Sequence, residues 1–157
     1  MNERVIYILT GKIQSGKTSA LIKWSAGKTD IFGILTPVID GRRFFMDAHS
    51  RIQFRMEAGE TEKAILSIGR YNFSKAAFEQ AAEIIRQSIN KNGGLVIDEI
   101  GPLELRKKGF HPVIRESLKN HTAKLLFVIR ENLVGEVTEL FELKEYEIIT
   151  KENLDQL

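Results

Sequence analysis

A glycine-bounded loop near the N-terminus carries the clearest chemical signal in the sequence. Residues 11–18 read Gly-Lys-Ile-Gln-Ser-Gly-Lys-Thr and match the pattern G-x-x-x-x-G-K-[ST] at every fixed position. Glycine at each end permits a tight turn whose backbone N–H groups point inward, toward phosphate oxygens. Lys17 would place its ammonium group against the β and γ phosphates, and the hydroxyl of Thr18 would bind Mg²⁺. The predicted nucleotide-binding residues are Gly11, Lys12, Ile13, Gln14, Ser15, Gly16, Lys17, Thr18 and Ser19.

The surroundings of this loop decide whether the pattern is more than a chance glycine-rich turn. Residues 5–9 before it read Val-Ile-Tyr-Ile-Leu, a continuous apolar run typical of a strand buried on both faces of a parallel sheet. After it, Ala20, Leu21 and Trp24 have the spacing of one helix face. A strand, a loop and a helix in this order favour phosphate binding over the chance interpretation.

An acidic pair follows a second apolar run and supplies candidates for metal binding and catalysis. Asp98 ends the run Leu-Val-Ile of residues 95–97, where a P-loop enzyme needs a carboxylate to hold Mg²⁺. Glu99 comes next and could orient or deprotonate a water that attacks the γ phosphate. We therefore predict Thr18 and Asp98 as metal ligands, with Glu99 and Lys17 as catalytic residues. The alternatives are a capping or turn role for Asp98 and a surface role for Glu99.

Residues 98–101 also fit the D-x-x-G pattern of switch GTPases, because they read Asp-Glu-Ile-Gly. The nearest approach to the companion guanine-reading pattern N-K-x-D is residues 90–93, which read Asn-Lys-Asn-Gly and lack its aspartate. Pro102 stands after Gly101 in place of a glutamine. A switch GTPase is therefore disfavoured.

The remaining sequence alternates strand and helix signals, which indicates a mostly parallel α/β sheet covered on both faces. Strands are expected at residues 95–98, 125–129 and 146–149, and helices at residues 112–119, 133–140 and 151–157. Ser74 is expected to cap a helix that ends near residues 92–94. Residues 33–56 resemble a small antiparallel meander around the hairpin signal Asp40-Gly41, and residues 68–73 a further strand.

Composition bounds the class of protein. The 157 residues suit a single domain, 1–157, with 43% hydrophobic and 28% charged residues. The formal net charge of +2 argues against a strong nucleic-acid footprint. There are no cysteines, and the apolar run at residues 5–10 is far too short to span a membrane, so we expect a cytoplasmic protein.

Taken together, these motifs resemble the THEP1-like nucleoside-triphosphatase family, which includes the cancer-related NTPases. The resemblance rests on residues 11–18, on Val-Ile-Asp-Glu-Ile-Gly-Pro-Leu-Glu-Leu at 96–105, and on Thr-Lys-Glu-Asn at 150–153. It implies a P-loop NTPase of the RecA or ASCE type, in which an extra strand separates the phosphate-loop strand from the Asp98 strand. It also implies slow, Mg²⁺-dependent hydrolysis of several nucleoside 5′-triphosphates with loose base preference, and it makes Glu99 the water-activating residue.

Two segments depart from the pattern of many relatives. Thr36 is followed by Pro37-Val38 where relatives carry two acidic residues, and residues 128–132 read Val-Ile-Arg-Glu-Asn where relatives often have small residues and proline. Several arginines are candidate γ-phosphate or base contacts, although a solvated surface role is the alternative for each: Arg42, Arg43, Arg70 and Arg130. Two other functions stay open, a P-loop kinase for a nucleotide or small molecule and a nucleotide-dependent switch or assembly protein.

Overall fold

The structure is a computed structural model that describes residues 4–157. Its strands are β1 (Ile6–Leu9), β2 (Ile31–Leu35), β3 (Val38–Ile39), β4 (Arg42–Asp47), β5 (Gln53–Arg55), β6 (Ile65–Ile68), β7 (Tyr71–Ser74), β8 (Gly94–Ile97), β9 (Leu125–Val128) and β10 (Glu147–Ile149). Its helices are α1 (Lys17–Ser25), α2 (Lys75–Ser88), α3 (Pro102–Leu105), α4 (His111–Asn120) and α5 (Val134–Leu140), with 3-10 helices at Glu131–Leu133 and Lys151–Gln156. No helix within the described residues is long and apolar enough to cross a bilayer.

The main sheet has the strand order β10-β1-β9-β8-β2-β4-β3, with β5 paired to β4. The pairs β10–β1, β1–β9, β9–β8 and β8–β2 are all parallel, whereas β4 pairs antiparallel with β2, β3 and β5. Because β9 lies between β1 and β8, an extra strand separates the phosphate-loop strand from the Asp98 strand. The predicted α/β fold, a mostly parallel sheet flanked by helices with a small antiparallel insertion, is confirmed, and so is the predicted extra strand.

The antiparallel insertion is smaller than predicted at its N-terminal end. Residues 33–35 were assigned to the meander, but they belong to β2, which pairs parallel with β8 through Gly33↔Val96 and Ile34↔Ile97. The whole of β2 is apolar, and Ile34 and Leu35 are fully buried, as expected of a strand covered on both faces. The antiparallel part therefore begins with β3.

Residues 68–73 do not form one strand as predicted. They contain the turn of a separate hairpin, in which Ile68 faces Tyr71 across Gly69 and Arg70, and β6 pairs with β7. Gly69 has φ +55°, in the left-handed region that turn glycines adopt readily. The predicted cap at Ser74 is confirmed, since its hydroxyl accepts a hydrogen bond from the backbone N–H of Ala77 in α2.

The sheet is covered on both faces by apolar clusters. One lies under α2, α4 and α5 and contains a group of aromatic rings, with Phe45 and Phe78 5.0 Å apart and edge to face. The other lies under α1 and contains Leu21. Alternate residues of β8 enter opposite clusters, with Val96 on the α1 face and its neighbours on the other. This packing fixes the ends of β1 and β8, from which the loops of the site emerge.

Candidate nucleotide-binding site

The loop predicted to bind phosphate connects β1 directly to α1. It contains a turn in which the N–H of Ser15 donates to the carbonyl of Lys12 at 3.2 Å. The first hydrogen bond of helix α1 runs from the N–H of Ala20 to the carbonyl of Gly16, at 3.0 Å. Gly16 is the N-cap of α1, so no capping side chain covers the amide groups of its first turn. These amides and the positive end of the helix form an anion-binding position.

Both motif glycines meet a specific steric or conformational demand. A Cβ atom at Gly11 would lie 2.8 Å from Ser15 Oγ, too close for a real side chain. Gly16 has φ +85°, which L residues with a side chain rarely adopt. Glycine at both ends therefore lets the loop take this conformation without displacing the Ser15 side chain or straining the backbone.

Lys17 folds back over the loop. Its ammonium group donates to the carbonyl of Lys12 at 2.7 Å and makes longer contacts to Ser15 Oγ at 3.3 Å and to the carbonyl of Gly11 at 3.4 Å. Burial lowers the pKa of Lys17, while the negative charges of Asp98 and Glu99 act in the opposite direction. The cation is thus held at the mouth of the loop, beside both members of the acidic pair.

Asp98 lies directly beneath this loop and is completely buried. Its Oδ2 atom accepts from Thr18 Oγ1 at 2.7 Å, from Thr36 Oγ1 at 2.9 Å and from the backbone N–H of Thr36 at 3.1 Å. Burial raises the pKa of Asp98 to about 6, with a further contribution from Glu99, and the hydrogen bonds from the two threonines limit the rise. Four donors hold the carboxylate in place, since Oδ1 accepts from the N–H of Glu99 at 2.9 Å.

Thr18 and Asp98 are the residues here that could hold a divalent metal. Their hydroxyl and carboxylate oxygens are the hard donors that Mg²⁺ prefers, and phosphate oxygens and water commonly complete its coordination. Within residues 4–157 there is no cluster of three or more His, Cys, Asp or Glu side chains suited to a metal. Thr18 and Asp98 thus offer two oxygen donors of the kind that suits Mg²⁺.

Glu99 lies where the chain changes direction, directly after the end of β8 and Asp98. Its φ of +56° is left-handed, and its side chain is 46% exposed. The carboxylate faces Arg43 of β4, whose Nη1 atom lies 2.9 and 3.0 Å from the two carboxylate oxygens. Burial acts to lower the pKa of Arg43, but the charge and hydrogen bond of Glu99, together with the interaction with Tyr71, outweigh it and the pKa is raised.

The other candidate arginines differ in their surroundings. Arg130 follows β9 and is half-buried, and the N–H of the next residue, Glu131, donates to the carbonyl of Gly11 at 3.0 Å, which places Arg130 beside the phosphate loop. Arg70 is exposed and donates to the Tyr71 hydroxyl at 3.1 Å. Arg42 is exposed on β4. The structure thus brings Arg43 and Arg130 to the site.

Three contacts at the site were not predicted. Thr36, at the end of β2, supplies two of the hydrogen bonds to Asp98. Lys151 donates its ammonium group to the carbonyl of Ser15 at 2.6 Å and so ties the C-terminal 3-10 helix to the phosphate loop. The third contact involves Glu104, which is buried in α3.

Glu104 fixes the segment that follows the acidic pair. Its carboxylate accepts from the N–H of Gly101 at 2.8 Å and from the N–H of Phe110 at 2.9 Å. Burial raises the pKa of Glu104 to about 7, while the backbone hydrogen bonds limit the rise. The only sequence signal for this role was an acidic residue three positions after Gly101, the spacing of a helix-capping residue.

Comparison with known proteins agrees with this geometry. The NTPase family model matches residues 6–157. The nucleoside-triphosphatase THEP1 of Methanopyrus kandleri is 30% identical over 139 residues, covering 79% of this chain and 72% of the relative. THEP1 of Methanothermobacter thermautotrophicus is 29% identical over 136 residues, covering 80% and 77%.

Two solved structures have the same fold. The solution structure of a human cancer-related nucleoside triphosphatase superposes with a TM-score of 0.67 at 24% identity, over 98% of this chain and 93% of that one. The crystal structure of THEP1 from Aquifex aeolicus gives a TM-score of 0.70 at 22% identity, over 97% and 92%. The phosphate loop and the acidic pair both lie inside the span matched by the family model, and the chain therefore belongs to the THEP1-like nucleoside-triphosphatase family.

Proposed function

We propose that this chain hydrolyses nucleoside 5′-triphosphates, ATP and GTP among them, to diphosphate and phosphate in a Mg²⁺-dependent reaction with loose base preference. The observation that supports this most strongly is the 2.7 Å hydrogen bond between Thr18 Oγ1 and Asp98 Oδ2. It joins the loop that has the geometry for phosphate to the carboxylate that has the chemistry for a metal. Glu99 stands next to both, at the rim of the cleft.

In this proposal the phosphates bind to the loop of residues 11–18. The amide groups of the loop and of the first turn of α1 donate to the phosphate oxygens. Lys17 exchanges its contacts with the loop carbonyls for the β and γ phosphates, and Arg130 adds a second cation to the cleft. Both cations stabilise the charge that develops as the bond between the γ phosphorus and the departing diphosphate breaks.

Thr18 and Asp98 would hold Mg²⁺. When bound there, the ion would neutralise part of the negative charge of the triphosphate. Thr36 keeps the Asp98 carboxylate pointed at Thr18, because it occupies the same carboxylate oxygen through two hydrogen bonds. Asp98 is completely buried, so its orientation is set by these partners rather than by water.

Glu99 orients the attacking water in the proposed reaction. The water oxygen forms a bond to the γ phosphorus as the bond from that phosphorus to the β–γ bridging oxygen breaks. The water proton passes to the Glu99 carboxylate and then to the released phosphate. The exposure of Glu99 allows this water to enter from solvent.

A phosphate-release assay tests the proposal. Wild type, Lys17→Ala and Glu99→Gln are compared on a panel of triphosphates with Mg²⁺ or with EDTA, with Lys23→Ala and Glu139→Gln as matched controls on exposed positions of α1 and α5. We expect release by wild type and the controls only with Mg²⁺, and a loss of at least about 100-fold in both site variants.

Other outcomes would point to the alternative functions. Phosphate transfer that requires an added acceptor would identify a P-loop kinase. Release that stays slow until a second protein is added would identify a nucleotide-dependent switch. Release that persists in Lys17→Ala would place the reaction outside this loop.

A further inference from the structure

The acidic pair is engaged by a residue that the hydrolysis reaction described above does not use. Of the ion pairs found within residues 4–157, the one between Arg43 and Glu99 lies at the site, whereas the others join Arg86 to Glu83 and Glu116 on helices α2 and α4. The group proposed to orient the water is thus held by a cation.

Arg43 is held by contacts of both its backbone and its side chain. Its N–H donates to Glu57 Oε2 at 2.6 Å, and its carbonyl accepts from the N–H of Met56 at 3.0 Å. The guanidinium carbon lies 4.9 Å from the centre of the Tyr71 ring, in a cation–π contact. The two backbone hydrogen bonds fix the base of the side chain. The guanidinium group rests against the Tyr71 ring, from where it can exchange Glu99 for another anionic partner.

A phosphate group can take the place of the Glu99 carboxylate as the ionic partner of Arg43. Nη1 makes both contacts, so the pair lacks the two parallel N–H···O bonds of a full guanidinium–carboxylate fork. The Glu99 side chain is 46% exposed, and ion pairs open to water are weak. A γ phosphate carries more negative charge than a carboxylate and offers oxygens that suit the guanidinium fork.

We propose that Arg43 is a γ-phosphate ligand that alternates between two partners. It holds Glu99 in the nucleotide-free enzyme and transfers to the γ phosphate of a bound triphosphate, which releases Glu99 to orient the water. A diphosphate has no γ phosphate, so it leaves the Arg43–Glu99 pair in place. Arg43 is thereby the residue that distinguishes a triphosphate substrate from a diphosphate product. This rests on the proposed function only in placing a γ phosphate beside Glu99.

The experiment measures binding without hydrolysis. A non-hydrolysable triphosphate analogue and the matching diphosphate are titrated with Mg²⁺ by calorimetry into wild type, Arg43→Gln, Glu99→Gln and the double variant. Arg55→Gln is the matched control, because Arg55 is exposed on the neighbouring strand β5, where it pairs with Phe44. Arg43→Lys keeps the charge without the fork, and thermal melting checks that each variant is folded.

We expect Arg43→Gln to weaken triphosphate binding about tenfold, the effect of losing one charge-assisted hydrogen bond, and to change diphosphate binding by less than about twofold. Glu99→Gln removes the competing partner, so triphosphate binding tightens several-fold. In the Arg43→Gln background the same Glu99 substitution has no such effect. Arg55→Gln behaves as wild type, and Arg43→Lys falls between wild type and Arg43→Gln.

Three results would overturn the proposal. If Arg43→Gln weakens the binding of triphosphate and diphosphate equally, the effect is one of general charge. If it weakens the binding of neither, the Arg43–Glu99 ion pair does not exchange partners. An equal gain from Glu99→Gln with and without Arg43 means that Glu99 only repels the phosphate. If Arg43→Gln does not fold, the ratio of triphosphate affinity to diphosphate affinity in Arg43→Lys tests the proposal instead. A failure of Glu99 as the water-activating residue would show separately, as phosphate release that survives in Glu99→Gln.

Discussion

Replacing Asp98 by asparagine should change the pH dependence of stability in a way that follows from the burial of this carboxyl group. A pKa of about 6 in the folded protein, against an ordinary value of 3.8, means that the folded state binds the proton more tightly than the unfolded state. The free energy of unfolding of the wild type therefore falls as pH rises from about 4 to about 6. The difference between the two pKa values corresponds to about 3 kcal/mol in the free energy of unfolding, and about 2 kcal/mol of this stability is lost between pH 4 and pH 8.

Asparagine removes this titration but disturbs one hydrogen bond. Its oxygen can still accept from Thr18 and Thr36, whereas its NH₂ group would face the N–H of Glu99, donor against donor. That mismatch costs about 1–2 kcal/mol at every pH. We therefore expect Asp98→Asn to be less stable than wild type by about 1 kcal/mol at pH 4 and more stable by about 1 kcal/mol at pH 8.

Urea denaturation in EDTA, without nucleotide, measures this difference at several pH values. Glu104 also has a raised pKa, but it is present in both proteins and cancels in the comparison. Asp155→Asn, at an exposed position, should follow the wild-type curve. A difference between Asp98→Asn and wild type that stays constant from pH 4 to pH 8 would refute the reasoning.

Further predictions concern the frame of the site. Gly33→Ala should lower the free energy of unfolding by more than about 3 kcal/mol or prevent folding, because φ is +110° and a Cβ atom would clash with the carbonyl of Val96. Gly41 is also at positive φ but in open space, so Gly41→Ala should lower it by about 1–2 kcal/mol. Urea denaturation measures both changes. Glu104→Gln should lower the free energy of unfolding by about 1–2 kcal/mol, because an amide replaces one of two acceptors for backbone N–H groups. Lys151→Met should weaken triphosphate binding a few-fold in calorimetry, since it removes the 2.6 Å hydrogen bond from Lys151 to the phosphate loop. An unchanged affinity would show that this hydrogen bond has no role in binding.

The parts of the site that were predictable from sequence are those encoded by local spacing. The glycines at 11 and 16 and the Lys-Thr that follows specify a loop whose conformation needs no distant partner, and apolar runs identified β1, β8 and β9. The family and the fold class followed from these segments, and both predictions are confirmed. The roles of Glu99, Lys17, Thr18 and Asp98 remain predictions.

The parts that were missed depend on contacts between distant segments. Thr36 contacts Asp98 across 62 positions of sequence, and Arg43 contacts Glu99 across 56, because β2 lies beside β8 in the folded sheet and β4 lies next to β2. Arg43 was predicted as a candidate phosphate or base contact, but nothing in the local sequence indicates its pairing with Glu99 or that of Thr36 with Asp98. The start of the meander was misplaced for the same reason, since parallel pairing with β8, rather than turn chemistry, assigns Gly33 to the main sheet.

A single-turnover measurement on Glu99→Gln tests the central claim most directly. The variant is saturated with a triphosphate and Mg²⁺, and both the bound nucleotide and the released phosphate are followed over time. We predict that the triphosphate binds at least as tightly as to wild type and that its hydrolysis slows by at least about 100-fold. Hydrolysis within a few-fold of the wild-type rate, with binding intact, would contradict the assignment of Glu99 as the residue that activates water.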